Sequence, residues 1–321
     1  MMKHLLWLLV SFWACMGTAA ADMPNDPLAW LGRISSAAHK LNYTGTFIYQ
    51  NGKNVETSRI SHLVEGGAEY ERLEALDGSP REVVRSDDEV QCFLPDQKTV
   101  IVDQSSARRS FPARLPPSPG AIAENYRIRK GEVVRIAGLE TQQIILEPKD
   151  DMRYGHHFWA DTASGLLLRA RLIGEKGESI EQFAFNEVHI GAPFDREKVK
   201  PRFRIADWKV VNARGNDVKV DDTGWVFRNS IPGFRQVVSL VRQAHKERGE
   251  AYHVVFSDGL AAISVFIEPV AARTNNHSGM STSGAVNIFR RTVSGHLITV
   301  LGEVPAQALV RIADGVEMRK R

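Results

Sequence analysis

Cysteine is scarce: 321 residues hold two, Cys15 and Cys92. The first 21 residues, MMKHLLWLLVSFWACMGTAAA, combine a short basic start at Lys3 and His4, an apolar stretch from Leu5 to Met16, and an A-x-A signal at Ala19-Ala20-Ala21. That is the pattern of a cleaved secretory leader. Removing 1–21 leaves Cys92 alone, which excludes an internal disulfide even in an oxidising compartment. Cys92 then reads as a small apolar strand residue, with a redox-sensing thiol as the alternative. Cys15 is a poor lipid-attachment site, because Phe12-Trp13-Ala14 before it lacks the usual leucine three positions back. Long apolar runs are missing after the leader. The best, Leu260 to Ile267, stops at Glu268, well short of the roughly 18 residues a membrane helix needs, so a soluble, exported chain is expected. Charge of one sign is missing too. Without Lys3 the 41 basic residues become 40 against 38 acidic ones, a balance with no nucleic-acid footprint.

Catalytic templates are absent as well. The sequence has no G-x-S-x-G elbow, phosphate loop, H-E-x-x-H or G-x-G-x-x-G. Gly279 to Gly284, GMSTSG, falls in Ala271 to Gly284, which is expected to be a flexible surface loop. Asp87-Asp88-Glu89 and Lys149-Asp150-Asp151 read as solvated turn clusters. The one arresting stretch is YGHHFWAD, residues 154–161. In a strand, His156, Phe158 and Ala160 face one way and His157, Trp159 and Asp161 the other. The two histidines therefore cannot share a metal, and His157 and Asp161 lie some 13 Å apart along the strand. With no nucleophile, base and oxyanion donors assembled, no metal and no cofactor are expected, and the function points to binding rather than catalysis.

What is present is period-two patterning. One helix opens the mature chain, with Asp26 as cap, Pro27 at its first position, and Leu28, Leu31, Ile34, Ala38 and Leu41 on one face. Strands follow at Thr44–Gln50, Val55–Val64, Glu69–Leu76, Arg81–Arg85, Glu89–Leu94 and Lys98–Asp103, separated by turns such as Asn51-Gly52 and Asp77-Gly78. Such short turns require antiparallel neighbours, so this is a meander. A proline-rich loop, Ser105 to Ala121, interrupts it. Strands resume at Tyr126–Lys130, Glu132–Ile136, Thr141–Leu146, Tyr154–Asp161, Leu166–Ile173 and Ser179–Ile190. The predicted class is mainly β (α+β): a large half-open antiparallel barrel with packed helices over 22–203, then a smaller α+β domain. Between them 204–222 is charged and reads as a connector or a poorly buried strand pair. The second domain, 223–321, has strands at Trp225–Phe227, Arg235–Arg242, Ala251–Ser257, Leu260–Glu268, Val286–Val293 and His296–Gly302, a hairpin at Asp258-Gly259, and a terminal helix from Pro305 bearing Leu309, Ile312 and Val316.

An open curved sheet can hold an apolar ligand against aromatic walls. Phe47, Tyr49, Phe93, Trp159, Phe183 and Phe185 are the candidate walls, each also readable as ordinary core. The loop residues Arg108, Arg109, Phe111, Arg114 and Leu115 interleave guanidinium and apolar groups, which suits an anionic amphiphile such as a phosphorylated glycolipid. A solvated loop is the alternative.

Several stretches together, TGTFIYQNG (44–52), YERLEALDGSPREVVR (70–85), DEVQCFLPD (88–96), FSDGLAAISVFIEP (256–269) and TVLGEVP (299–305), resemble the MucB/RseB family of periplasmic regulators of sigma-E envelope-stress signalling. The resemblance runs over nearly the whole mature chain. It implies a first domain similar to the lipoprotein carriers LolA and LolB, and no catalytic residues. It also implies a partner, the periplasmic domain of a membrane-bound anti-sigma factor of the RseA/MucA type, shielded from site-1 proteolysis until lipopolysaccharide or another acylated signal relieves the shielding. The FSDGLAAISVFIEP stretch supplies the expected partner contacts, Phe256, Leu260, Val265, Phe266 and Ile267. A periplasmic lipid or lipoprotein carrier is the competing reading, and a homo-oligomer is compatible with either.

Overall fold

The computed structural model describes residues 25–86, 89–104, 115–116, 119–191, 193, 195–243, 249–270 and 278–319. Helix α1 (Pro27–Lys40) begins where the Asp26 carboxylate accepts hydrogen bonds from the backbone N–H groups of Leu28 and Ala29 (3.1 and 3.2 Å), satisfying two donors that a helix start leaves open. It buries Trp30, Leu31, Ile34, Ala37 and Ala38.

Two hairpin runs follow. The first is β1 (Tyr43–Asn51), β2 (Asn54–Glu65), β3 (Ala68–Ala75), β4 (Glu82–Ser86), β5 (Glu89–Leu94) and β6 (Thr99–Gln104). The second, after the short α2 (Ile122–Asn125), is β7 (Tyr126–Ile136), β8 (Leu139–Pro148), β9 (Gly155–Asp161), β10 (Leu167–Ile173) and β11 (Ser179–Ile190). They join where β11 pairs antiparallel with β1, and β12 (Lys209–Asn212) adds a parallel edge beside β6. The sheet runs β12-β6-β5-β4-β3-β2-β1-β11-β10-β9-β8-β7. It curls enough for β7 to touch β11 across three intervening strands, yet among the described residues no ladder joins its two edges.

A second sheet holds β13 (Asn216–Asp217), β15 (Arg235–Gln243), β16 (Glu250–Ser257), β17 (Ala262–Pro269), β18 (Gly279–Ser283), β19 (Val286–Val293) and β20 (His296–Gly302), in the order β13-β15-β16-β17-β20-β19-β18. A small pair joins β14 (Trp225–Phe227) to β21 (Val316–Met318). Helix α3 (Ala306–Asp314) lies on β19 and β20 and closes a core of Ile263, Val265, Ile267, Ile298, Val300, Leu309 and Ile312.

Four expectations need correction. The two strands foreseen at 126–136 are one, β7, whose register shifts between Lys130 and Val133 instead of breaking. Val316 lies past the helix in β21, because the chain leaves α3 at Gly315. Gly279 to Ser283 is no loop but edge strand β18, exposed throughout; its glycine, serines and threonine around the exposed Met280 carry no burial signal to reveal it. The connector is not a strand pair, since β12 extends the first sheet and β13 the second.

Candidate functional site

Strand register assigns the aromatic candidates to faces. Tyr49 lies opposite Phe183, and Phe47 opposite Phe185. Through Ala170 and Phe158 these positions share the face that packs under α1 with Tyr43, Ile60 and Ile144. The rings touch one another: Phe47 meets Phe185 edge-on at 5.8 Å and Phe183 at 6.1 Å, and Tyr49 stacks on Phe183 at 4.6 Å. Tyr49 donates its hydroxyl to Glu181 Oε2 (3.2 Å) and accepts from Asn51 Nδ2 (2.8 Å). Burial, then the Glu181 carboxylate, pushes the Tyr49 phenol up to about 12. Leu115 is buried in the same core, held by the Ser35 hydroxyl donating to the carbonyl of Pro116 (2.7 Å). Arg108, Arg109, Phe111 and Arg114 lie outside the described residues.

Two candidates do not join this cluster's face. Phe93 is buried with Val84 and Val100 in a separate small core covered by Phe203 and Trp208. Trp159 touches the main core, but its pairing with Arg169 turns it to the reverse face of the sheet. There the guanidinium carbons of Arg169 and Arg171 lie 5.5 and 5.3 Å from its ring. His156 and His157 fall on opposite faces as expected. Asp161 closes the β9–β10 turn by accepting from Ser164 N and Oγ (2.7 and 2.6 Å). Among the described residues no group of histidine, cysteine, aspartate and glutamate could hold a metal ion.

The partner candidates also separate. Val265 and Ile267 are fully buried against α3, because β17 turns its odd positions inward; they are core, not surface. Phe266 faces the other way, half-buried and stacked on His253 at 4.1 Å. Phe256 meets Phe227 edge-on at 5.2 Å. Leu260 packs on the first core, across the junction between the two sheets.

That junction contains residues the sequence reading missed. Arg153, 2% exposed, donates Nε and one terminal nitrogen to Asp150 (2.9 and 2.9 Å), and donates to Asp258 Oδ2 (2.7 Å) and to the carbonyl of Pro232 (2.5 Å). Its guanidinium also lies over Tyr126 and Phe234. Asp258 Oδ1 accepts from Leu260 N and Ala261 N (2.9 and 2.8 Å), shaping the β16–β17 hairpin. Burial pushes the Asp258 carboxyl up, against the pull of those two N–H groups and of Arg153. Asp150 was read as part of a solvated turn cluster; it is instead the bidentate partner of a buried arginine. Asp258-Gly259 was legible as a turn, but nothing local showed that Arg153, 105 residues earlier, would close on it. A surface groove of about 470 Å³ opens between β13 and the start of β15, lined by Asp217, Lys219, Gln236, Val237 and Ser239 among others.

The MucB/RseB N-terminal domain matches residues 26–203 and the MucB/RseB C-terminal domain residues 219–317. The chain is 32% identical over 314 residues to the sigma factor AlgU regulatory protein MucB of Pseudomonas aeruginosa, covering 96% of this chain and 95% of that protein. It is 26% identical to the sigma-E factor regulatory protein RseB of Escherichia coli K12, covering 97% and 98%. The fold is similar to the complex structure of Pseudomonas aeruginosa MucA/MucB, with a TM-score of 0.72 at 29% identity over 92% of this chain and 100% of that one. Matched across both sheets by sequence and by structure, the chain belongs to the MucB/RseB family.

Proposed function

We propose that this chain is a periplasmic regulator of sigma-E type signalling: it holds the periplasmic domain of an anti-sigma factor, shields it from site-1 proteolysis, and lets go when a lipid signal binds. The observation that carries the reading is likeness over both units to a MucB whose solved structure is a complex with MucA. A carrier that only ferried lipid would need the first unit alone. In this reading the curled first sheet acts as a half-open barrel, the Phe47, Tyr49, Phe183 and Phe185 cluster receives acyl chains, and Arg108, Arg109 and Arg114 take phosphates at its mouth, with Phe111 and Leu115 following the chains inward. We also place the division between the units at 213–215, between β12 and β13, since each of those strands serves a different sheet.

The test is protection. Mature chain is mixed with a purified anti-sigma periplasmic fragment, and cleavage by the site-1 protease is followed with and without lipopolysaccharide. Protection that lipopolysaccharide relieves supports the proposal. Cleavage at the unprotected rate, or pull-down of acylated proteins in place of the fragment, overturns it in favour of a carrier.

A further inference from the structure

The reverse face of the first sheet, away from α1, carries an arrangement that the proposed lipid capture does not use. Arg169 and Arg171 are alternate residues of β10, so both side chains leave the same face. Their guanidinium carbons lie 5.5 and 5.3 Å from the ring of Trp159, which is 6% exposed. Among the described residues neither has a carboxylate partner. Arg171 donates Nε to the neutral Gln182 (2.5 Å), and Arg169 Nε is buried with no hydrogen-bond partner among the described residues. Arg127 and Arg129 on β7 share this face, and Arg129 is already held by Glu147 on β8 (2.9 Å). Among the described residues the cations here outnumber the carboxylates, and the charge of Arg169 and Arg171 is left uncompensated. The surroundings register that field: burial, then Arg129 and Arg171, holds His157 below its ordinary value, and burial, then Arg171, does the same to Arg169. The aromatic platform fixes both guanidinium planes before any ligand arrives, so less side-chain freedom is lost on binding.

We infer that Arg169 and Arg171, stacked on Trp159, form a docking site for an extended acidic segment of a partner polypeptide, with carboxylates at alternate positions. The spacing supports this occupant. Alternate residues of one strand stand about 6.6–7 Å apart, and so do alternate side chains of an extended peptide laid along it. Gln143, His157 and Gln182 flank the pair on the same face and offer hydrogen-bonding groups to a backbone. An open sheet face encloses no compact phosphate, and the charge asks for an anion.

The experiment is fluorescence anisotropy with the full mature chain and a labelled peptide carrying two glutamates at i and i+2 in a serine–threonine background. Wild type should bind it, more weakly as salt rises, and R169Q/R171Q should bind roughly tenfold more weakly or worse. A peptide with the two glutamates adjacent points them to opposite sides and should bind less well than the alternating one. If the double variant melts early, R169Q and R171Q singly should each give an intermediate loss, since one stacked guanidinium remains. Equal binding by the variants, equal binding of the adjacent-glutamate peptide, or binding only of inorganic phosphate or of phosphatidylglycerol vesicles would overturn the inference. Protection of an anti-sigma fragment is measured separately, so failure here leaves the regulatory reading intact.

Discussion

Asp258 is a carboxylate withdrawn from water, and what holds it there is one arginine, one phenol and two backbone N–H groups. Removing one member of a buried ion pair leaves the other uncompensated. Asp258→Ala should therefore lower the free energy of unfolding by about 3–5 kcal/mol, read from urea denaturation, whereas replacing Arg153 and Asp258 together with apolar residues should recover much of the loss. Gly45 is a second sensitive position. A β-carbon there would come within 2.4 Å of the Glu187 carbonyl oxygen and 2.8 Å of the Phe185 ring, because Phe185 leans across the bare glycine. Gly45→Ala should cost about 1–3 kcal/mol in the same assay. The tyrosines set the alkaline limit. Burial raises Tyr43 and Tyr126 well above the ordinary phenol value and Tyr49 to about 12. Unfolded tyrosines lose protons near pH 10 while the folded ones keep theirs, so their contribution is full below about pH 10 and is lost as pH rises through the folded values. Urea midpoints should fall across that range together with the appearance of tyrosinate absorbance; a flat profile would contradict the assignment.

Among the elements, β12 shows what the sequence could and could not announce. The hairpin runs were legible because turn residues and alternation are local signals, and α1 was legible from Asp26-Pro27 and its spacing. β12 was not: its exposed residues, Lys209, Val210 and Asn212, show no alternation, and what places it is a parallel register with β6 about a hundred residues away. The aromatic candidates tell the same story. Phe47, Tyr49, Phe183 and Phe185 come together because alternation predicts face, but the assignment of Trp159 and Phe93 to the reverse face depends on pairings across many strands, which composition does not carry. Trp208, just before β12, packs on Phe93 and Phe203. A fragment ending at 203 loses both that indole and the edge strand. One ending at 214 should be more stable by about 2–4 kcal/mol, measured by chemical denaturation of the two fragments.

For the whole molecule, the junction governs cooperativity. Leu260 of the second unit packs against the first core, Met152 of the first unit against the second, and Gln307 donates to the Asp151 carbonyl (2.6 Å). Two units that pack apolar side chains against each other's cores around a buried ion pair should unfold together. Calorimetry should give one transition for the wild type, and Asp258→Ala should separate it into two. Two transitions in the wild type would mean that the junction contributes little.

The ladder between β1 and β11 also has a consequence in time. Phe47 pairs with Phe185, so the first strand made must wait for roughly 140 further residues before its second edge is covered. Each hairpin run can zip up as it emerges, but until β11 arrives the aromatic edge of β1 stays open to any other chain. The slow step of maturation is then the return of β11, and a chaperone that helps this protein would act by occupying that edge in the interval.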